Sequence, residues 1–175
     1  MGLGQTLLTI MGLILMGRLI LSINTTTLDT GFSKDMAEYR ITGTSLGTSM
    51  LEKASNLAFD ENSAEAEITV VSGFKAPGSL GKDAGESIES QFDDLDDYHN
   101  YTVVETLQTS ATFKSRVTVQ YVSISSNVIT VSATQTFAKL LTVDVTSDYL
   151  VDYSVAPPRP DTLRFKQIFS YWYFR

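Results

Sequence analysis

The sequence predicts an α+β protein in which a long N-terminal α-helix packs on a C-terminal antiparallel β-sheet head. Three observations predict it. The chain begins with a segment that is apolar on every side of a helix, continues to about Phe59 with one apolar stripe, and from Glu67 onward changes its apolar period from near 3.6 residues to two. These divide the chain into an apolar helix over 1–27, an amphipathic helix over 28–62 and a β head over 63–175 with an acidic loop at 82–100.

The first element is the stretch Leu7–Ile23, "LLTIMGLILMGRLILSI". A helix that is apolar all round must be covered on every side, by lipid or by neighbouring helices. At a rise of about 1.5 Å per residue it spans roughly 25 Å, the short limit for crossing a bilayer. No basic flank precedes it and no small-x-small cleavage site follows, so a cleaved secretory tag is not expected. Arg18 is its only charge; at a bilayer centre it would cost about 2.5–3.5 kcal/mol, and less near an interface that its side chain can reach. Gly2, Gly4, Gly12 and Gly17 suit close helix approach or helix flexibility. "NTTT" from Asn24 to Thr27 is expected to weaken the helix.

Leu28, Phe32, Met36, Tyr39, Gly43, Leu46, Met50, Ala54 and Leu57 then recur at steps of three and four, with charges largely between them. That is an amphipathic helix, weakened by Gly31, Gly43 and Gly47 and held by whatever it packs on. "DENS" is expected to end it. Beyond it, "EITVV", "YTVVETL", "FKSRVTVQYVS", "NVITVSAT", "AKLLTVDVTS" and "DTLRFKQIFSYWYF" are strand-like in composition. Phe113, Val117, Val119 and Tyr121 fall on one face and Lys114, Arg116, Thr118 and Gln120 on the other. "SSN" reads as a hairpin turn and "APPRP" as a rigid link. In the C-terminal "FSYWYFR", Phe169, Tyr171 and Tyr173 share one strand face and Trp172 and Phe174 the other, so one of the two faces is expected to meet a neighbouring subunit.

Composition excludes several functions. Of 175 residues 43% are hydrophobic and 19% charged, enough apolar material for a packed core. A net charge of -7 argues against binding nucleic acid through its phosphates. Without cysteine there are no disulfides, thiolate zinc sites or cysteine nucleophiles, and a single histidine, His99, excludes His-rich metal centres. No cofactor is expected.

The run "KDAGESIESQFDDLDD" (82–97) sets one lysine against seven carboxylates. Asp93, Asp94, Asp96 and Asp97 could bind Ca²⁺ through carboxylate oxygens, but the order of an EF-hand loop is missing; the preferred reading is a solvated acidic loop with Tyr98 packing inward. His99 beside them reads as a surface or loop residue, with no partnered nucleophile pattern to make it an acid or base. The sequence therefore reads as a non-enzyme. Asn24-Thr25-Thr26 and Asn100-Tyr101-Thr102 fit the N-glycosylation pattern.

The layout resembles a type IV pilin or pseudopilin-like filament subunit. The residues that carry the likeness are "MGLGQTLLTIMGLILMG", the loosening expected around Asn24, "FDDLDDYHNYT" (92–102) and "AKLLTVDVTS" (138–147). The resemblance implies a membrane anchor before assembly and a filament core afterwards, built from Met1, Gln5, Leu7, Leu8, Ile10, Met11, Leu13, Ile14, Leu15, Arg18, Leu19 and Ile20. It implies partners: copies of the chain itself in a helical filament, the inner membrane, a pilus assembly machinery and a prepilin peptidase that removes a leader ahead of Met1. It places the filament outside a prokaryotic cell, with adhesion, motility, DNA uptake and secretion all open as roles. One departure stands out. Members of the family usually carry Glu at the fifth mature position, held to pair with a neighbour's N-terminal amine; Gln5 can accept a hydrogen bond there but cannot neutralise a charge. The alternative reading is a membrane-anchored monomeric adhesin or binding module.

Overall fold

The computed structural model describes residues 2–65, 67–107 and 111–173. Helix α1 runs from Leu3 to Ser55. The chain divides into two units, 1–39 and 40–175, and each is taken by itself.

The first unit is helical from Leu3 onward, and the expected weakening at Asn24–Thr27 does not interrupt it. The threonine hydroxyls explain why. Thr25 and Thr26 donate to the Ser22 carbonyl at 2.9 Å, Thr27 to Ile23 at 2.9 Å and Thr30 to Thr26 at 2.8 Å. Each hydroxyl is satisfied on the preceding turn, so it does not compete for a non-helical backbone.

In the second unit α1 ends at Ser55, earlier than Phe59. The "DENS" expected to end it instead begins a short helix, α2 (Glu61–Glu65). Asp60 opens that helix: its Oδ1 accepts from the Asn62 N–H at 3.2 Å, and its carbonyl accepts from the Ser63 N–H at 2.8 Å. "EITVV" is not a strand. Among the described residues there, Ile68 is buried while Val70 and Val71 are exposed, and Val71–Gly73 form a 3₁₀ turn. Its β-branched composition finds no neighbouring strand to pair with.

The sheet holds five strands, β1 (Thr102–Thr106), β2 (Thr112–Ser125), β3 (Val128–Val131), β4 (Ala138–Asp152) and β5 (Arg159–Ser170). All pairings are antiparallel in the order β1-β2-β4-β5, with β3 folded back on the end of β2. The β2–β3 turn falls at Ser126 and Asn127, whose positive φ angles of 50° and 63° match the twist of a two-residue hairpin. Registers such as Val117↔Val143↔Phe165 and Val119↔Leu141 put one apolar face together. Phe113, Val117, Val119, Tyr121, Leu141, Val143 and Val145 are buried, whereas the opposite face carries Arg116, Asp144 and Arg164 in one cross-strand row.

The end of α1 lies on that apolar face, burying Gly43, Gly47, Met50 and Ala54. The two glycines are there for space. A Cβ on Gly43 would come within 2.8 Å of Leu163 Cδ1, and one on Gly47 would overlap the Phe165 ring. Of the predicted stripe, Gly43, Met50 and Ala54 are buried and Met36, Tyr39, Leu46 and Leu57 half-buried, while Leu28 and Phe32 are exposed.

The last strand stops at Ser170, and Tyr171–Tyr173 turn into a 3₁₀ helix, so "FSYWYFR" is not one continuous strand. Tyr171 folds into a cluster with Phe59, Phe74 and Phe137 and accepts a hydrogen bond from the Ile68 N–H at 2.9 Å. Trp172 is exposed and tilts over Phe137 and Tyr171. The Tyr173 side chain and Phe174, like Met1, lie outside the described residues.

Candidate functional site

Two features carry chemistry: the apolar half of α1 and an acidic pocket in the head.

Every described residue of the expected assembly set on α1 is exposed: Gln5, Leu7, Leu8, Ile10, Met11, Leu13, Ile14, Leu15, Arg18, Leu19 and Ile20. Leu13, Ile14, Leu15 and Met16 are successive residues and are 70%, 57%, 59% and 61% exposed, so the helix presents apolar surface in every direction rather than on one side. Asn24 is exposed on the same helix, and Asn100 is exposed at a left-handed turn, its Oδ1 accepting from Arg116 at 3.3 Å.

The acidic run departs most from expectation. A solvated loop is expected, yet of the four aspartates at 93–97 only Asp93 is exposed; Asp94, Asp96 and Asp97 are fully buried. Tyr98 does pack inward, edge-on to Phe92 and Tyr101. Burial is made feasible by a cation from a distant strand. Lys139 on β4 is itself fully buried and donates to Asp96 Oδ1 at 2.6 Å, Asp60 Oδ2 at 2.9 Å and the Phe59 carbonyl at 2.7 Å. Its Nζ also sits 4.4 Å from the centre of the Phe59 ring. Asp60 takes further hydrogen bonds from the Lys75 N–H at 3.1 Å and the Tyr121 hydroxyl at 3.0 Å. Burial pushes the Asp60 carboxyl up, but the Lys139 charge and these bonds outweigh it and leave it below the usual carboxylate range. At Asp96 burial wins over the same cation, and its carboxyl stands raised.

A second group of carboxylates has no such lysine at its centre. The run folds on itself: Asp94 Oδ1 accepts from the N–H groups of Asp96 at 2.7 Å and Asp97 at 3.1 Å, while Asp97 Oδ2 accepts from those of Asp93 at 3.2 Å and Asp94 at 3.3 Å. Glu61, Asp83 and Asp94 each place an oxygen within 4.8 Å of the others, as do Asp83, Glu86 and Asp97. Lys75 pairs with Asp83 at 2.8 Å at the edge of this group. Burial, reinforced by the charges of Asp94 and Glu86, pushes the Asp97 carboxyl up to about 7. The same causes, burial first and then Asp93, Asp83 and Asp94, raise Glu61.

His99 is half-buried rather than on the surface; its Nδ1 lies 2.7 Å from the Val119 carbonyl oxygen and 3.2 Å from the Val119 nitrogen, a backbone contact to β2. Gly43-Thr44-Ser45-Leu46-Gly47 spells a G-x-S-x-G sequence, but it lies mid-helix with both glycines against the sheet, not on the strand-to-helix turn that exposes a nucleophile. Lys139, Asp60, Glu61, Asp83 and Glu86 are site residues that the sequence does not single out. Lys139 did leave a signal: it is in phase with Leu141, Val143 and Val145, the inward positions of its strand.

Compared with known proteins, the chain matches no family model, no curated protein and no solved structure.

Proposed function

We propose that the chain is a structural subunit of a helical cell-surface filament of the type IV pilus kind, polymerising through the apolar half of α1. The observation that carries this reading is the all-round exposure of Leu7 to Ile23 on a continuous helix that ends in a folded β head. A single apolar stripe would call for one partner surface. An apolar cylinder calls for an environment on every side, which a bundle of identical helices supplies. Burial there removes apolar surface from water or lipid contact, and from water the gain is roughly 25 cal/mol per Å². Such a contact is heterologous, so it propagates as an open helix instead of closing. Before assembly the same segment is apolar and long enough to sit in a membrane. Trp172, exposed beside the C-terminal aromatic cluster, supplies a head-to-head contact.

The test is electron microscopy of material sheared from cells that express the chain. Filaments are expected with the parent sequence and none with Leu13→Asp or Leu15→Asp, while the variants keep the β head's circular dichroism. Intact filaments from either variant refute the scheme. The compatibility of α1 with a bilayer also favours a second reading, a membrane-anchored monomeric binding module, and sheared material without filaments from the parent chain would establish it over the first.

A further inference from the structure

We infer that the head binds a Ca²⁺ ion in the pocket formed by Asp83, Glu86, Asp94 and Asp97, with Glu61 at its rim. The inference stands apart from the filament reading, since every one of these residues lies within the 40–175 unit.

Geometry comes first. Two groups of three carboxylates, each with its oxygens within 4.8 Å of one another, share Asp83. Ca²⁺ holds oxygens at about 2.3–2.6 Å, so ligands on opposite sides of one ion stand up to about 5 Å apart. Oxygens at that spacing can share one ion, and Asp83 belongs to both groups.

The second observation is independent of the clustering. Asp94 Oδ2 and Asp97 Oδ1 are buried and have no hydrogen-bond partner, although both residues are fully buried. Their other oxygens are each occupied by two backbone N–H donors, which fixes the carboxylates and leaves these two oxygens over. A buried polar atom without a partner is destabilising, and more so when it is charged. Folded proteins rarely retain such atoms, and a bound cation would supply the partner they lack.

Charge points the same way. Lys139 is engaged with Asp60 and Asp96, and Lys75 pairs with Asp83 of the cluster and the Gly81 carbonyl. Lys75 offsets one of five carboxylates, and a divalent ion offsets two more. The donor set decides which ion. It is all oxygen, with no histidine or thiolate, which selects a hard cation over zinc or copper. The ligands come from α2, from the 83–86 loop and from the 94–97 turn, an irregular set that suits the flexible six-to-eight coordination of Ca²⁺ better than the strict octahedron of Mg²⁺.

The test uses the full chain in detergent, stripped with EDTA, with CaCl₂, MgCl₂ or KCl added and thermal unfolding of the head followed by circular dichroism. At 10 mM Ca²⁺ and the millimolar-to-submillimolar affinity common outside cells, the melting temperature is expected to rise by roughly 5–10 °C. Mg²⁺ and K⁺ should give little. Asp97→Asn should abolish the response and, in EDTA, leave the head as stable as the parent or more so, because it removes a repelled buried charge. Glu86→Gln, at a half-buried position, provides a second variant that also loses the response if Asp97→Asn does not fold. No Ca²⁺-dependent shift, an equal shift with Mg²⁺, or a shift that survives in both variants overturns the inference.

Discussion

Replacing Lys139 by methionine should be among the most damaging single changes to the head. Methionine keeps an unbranched apolar stem of similar length and removes the ammonium group, which also faces the Phe59 and Tyr121 rings. What it leaves behind sets the magnitude. Asp60 and Asp96 lose the cation that lies 2.9 and 2.6 Å away, and the Phe59 carbonyl loses its donor at 2.7 Å, with the side chains of Lys139, Asp60 and Asp96 all at zero exposure. Breaking a buried pair from one side costs about 3–5 kcal/mol, because the partner charge stays behind uncompensated. For a domain of this size each kcal/mol moves the melting point by roughly 4 °C, so the loss should be roughly 12–20 °C. The assay is thermal unfolding of the full chain in detergent at pH 7, with EDTA present so that no divalent ion contributes. Combining Lys139→Met with Asp96→Asn should recover part of the loss, since one fewer carboxylate is stranded. A single variant that melts within about 4 °C of the parent would refute the idea that this lysine holds the acidic segment in the core.

Three further outcomes follow from packing. Gly47→Ala should destabilise the head by about 1–3 kcal/mol in spite of alanine's better helix propensity, because the new methyl overlaps the rigid Phe165 ring; chemical denaturation reads it. Gly31→Ala, with open space around it, should do the opposite and slow amide hydrogen exchange locally in α1, by up to about 1 kcal/mol of added helix stability. Tyr171→Phe should cost about 1–3 kcal/mol, since it removes the hydroxyl that accepts from the buried Ile68 N–H while leaving the aromatic cluster in place; a melting curve reads that.

Periodicity carried most of the architecture. The shift from a period near 3.6 to one of two located the helix and the sheet, and alternation along Phe113–Tyr121 named the buried face of β2 residue by residue. The readings that failed were those based on composition over short windows. Asn24–Thr27 looked like a break because threonine is a poor helix former, but back-bonding hydroxyls and the strong helix on either side override a deficit of a few tenths of a kcal/mol per residue. "EITVV" looked like a strand because it is β-branched, but strand formation depends on a partner that its position does not supply. Gly43 and Gly47 were legible as weak points of a helix, whereas their purpose depends on Phe165 and Leu163, more than a hundred residues away.

The acidic run shows where local reading ends. Four aspartates in five residues are solvated by default, since burying them without partners is prohibitive. Burial here depends on Lys139, which lies far along the chain. Neither segment is interpretable alone; together they are constraining. A lysine in the inward phase of a strand, alternating with Leu141, Val143 and Val145, must end up buried unless the strand is misassigned, and a buried lysine requires carboxylates at hydrogen-bond distance. The carboxylates of 93–97 are the densest source in the chain, so the phase of Lys139 and the acidity of the run jointly predict that they meet. One cation cannot satisfy the whole run, however: Lys139 reaches Asp96 Oδ1 and Asp60 but leaves Asp94 Oδ2, Asp96 Oδ2 and Asp97 Oδ1 without a donor. The lysine accounts for why the acidic segment is inside, and the oxygens it does not reach are why a divalent ion belongs beside it.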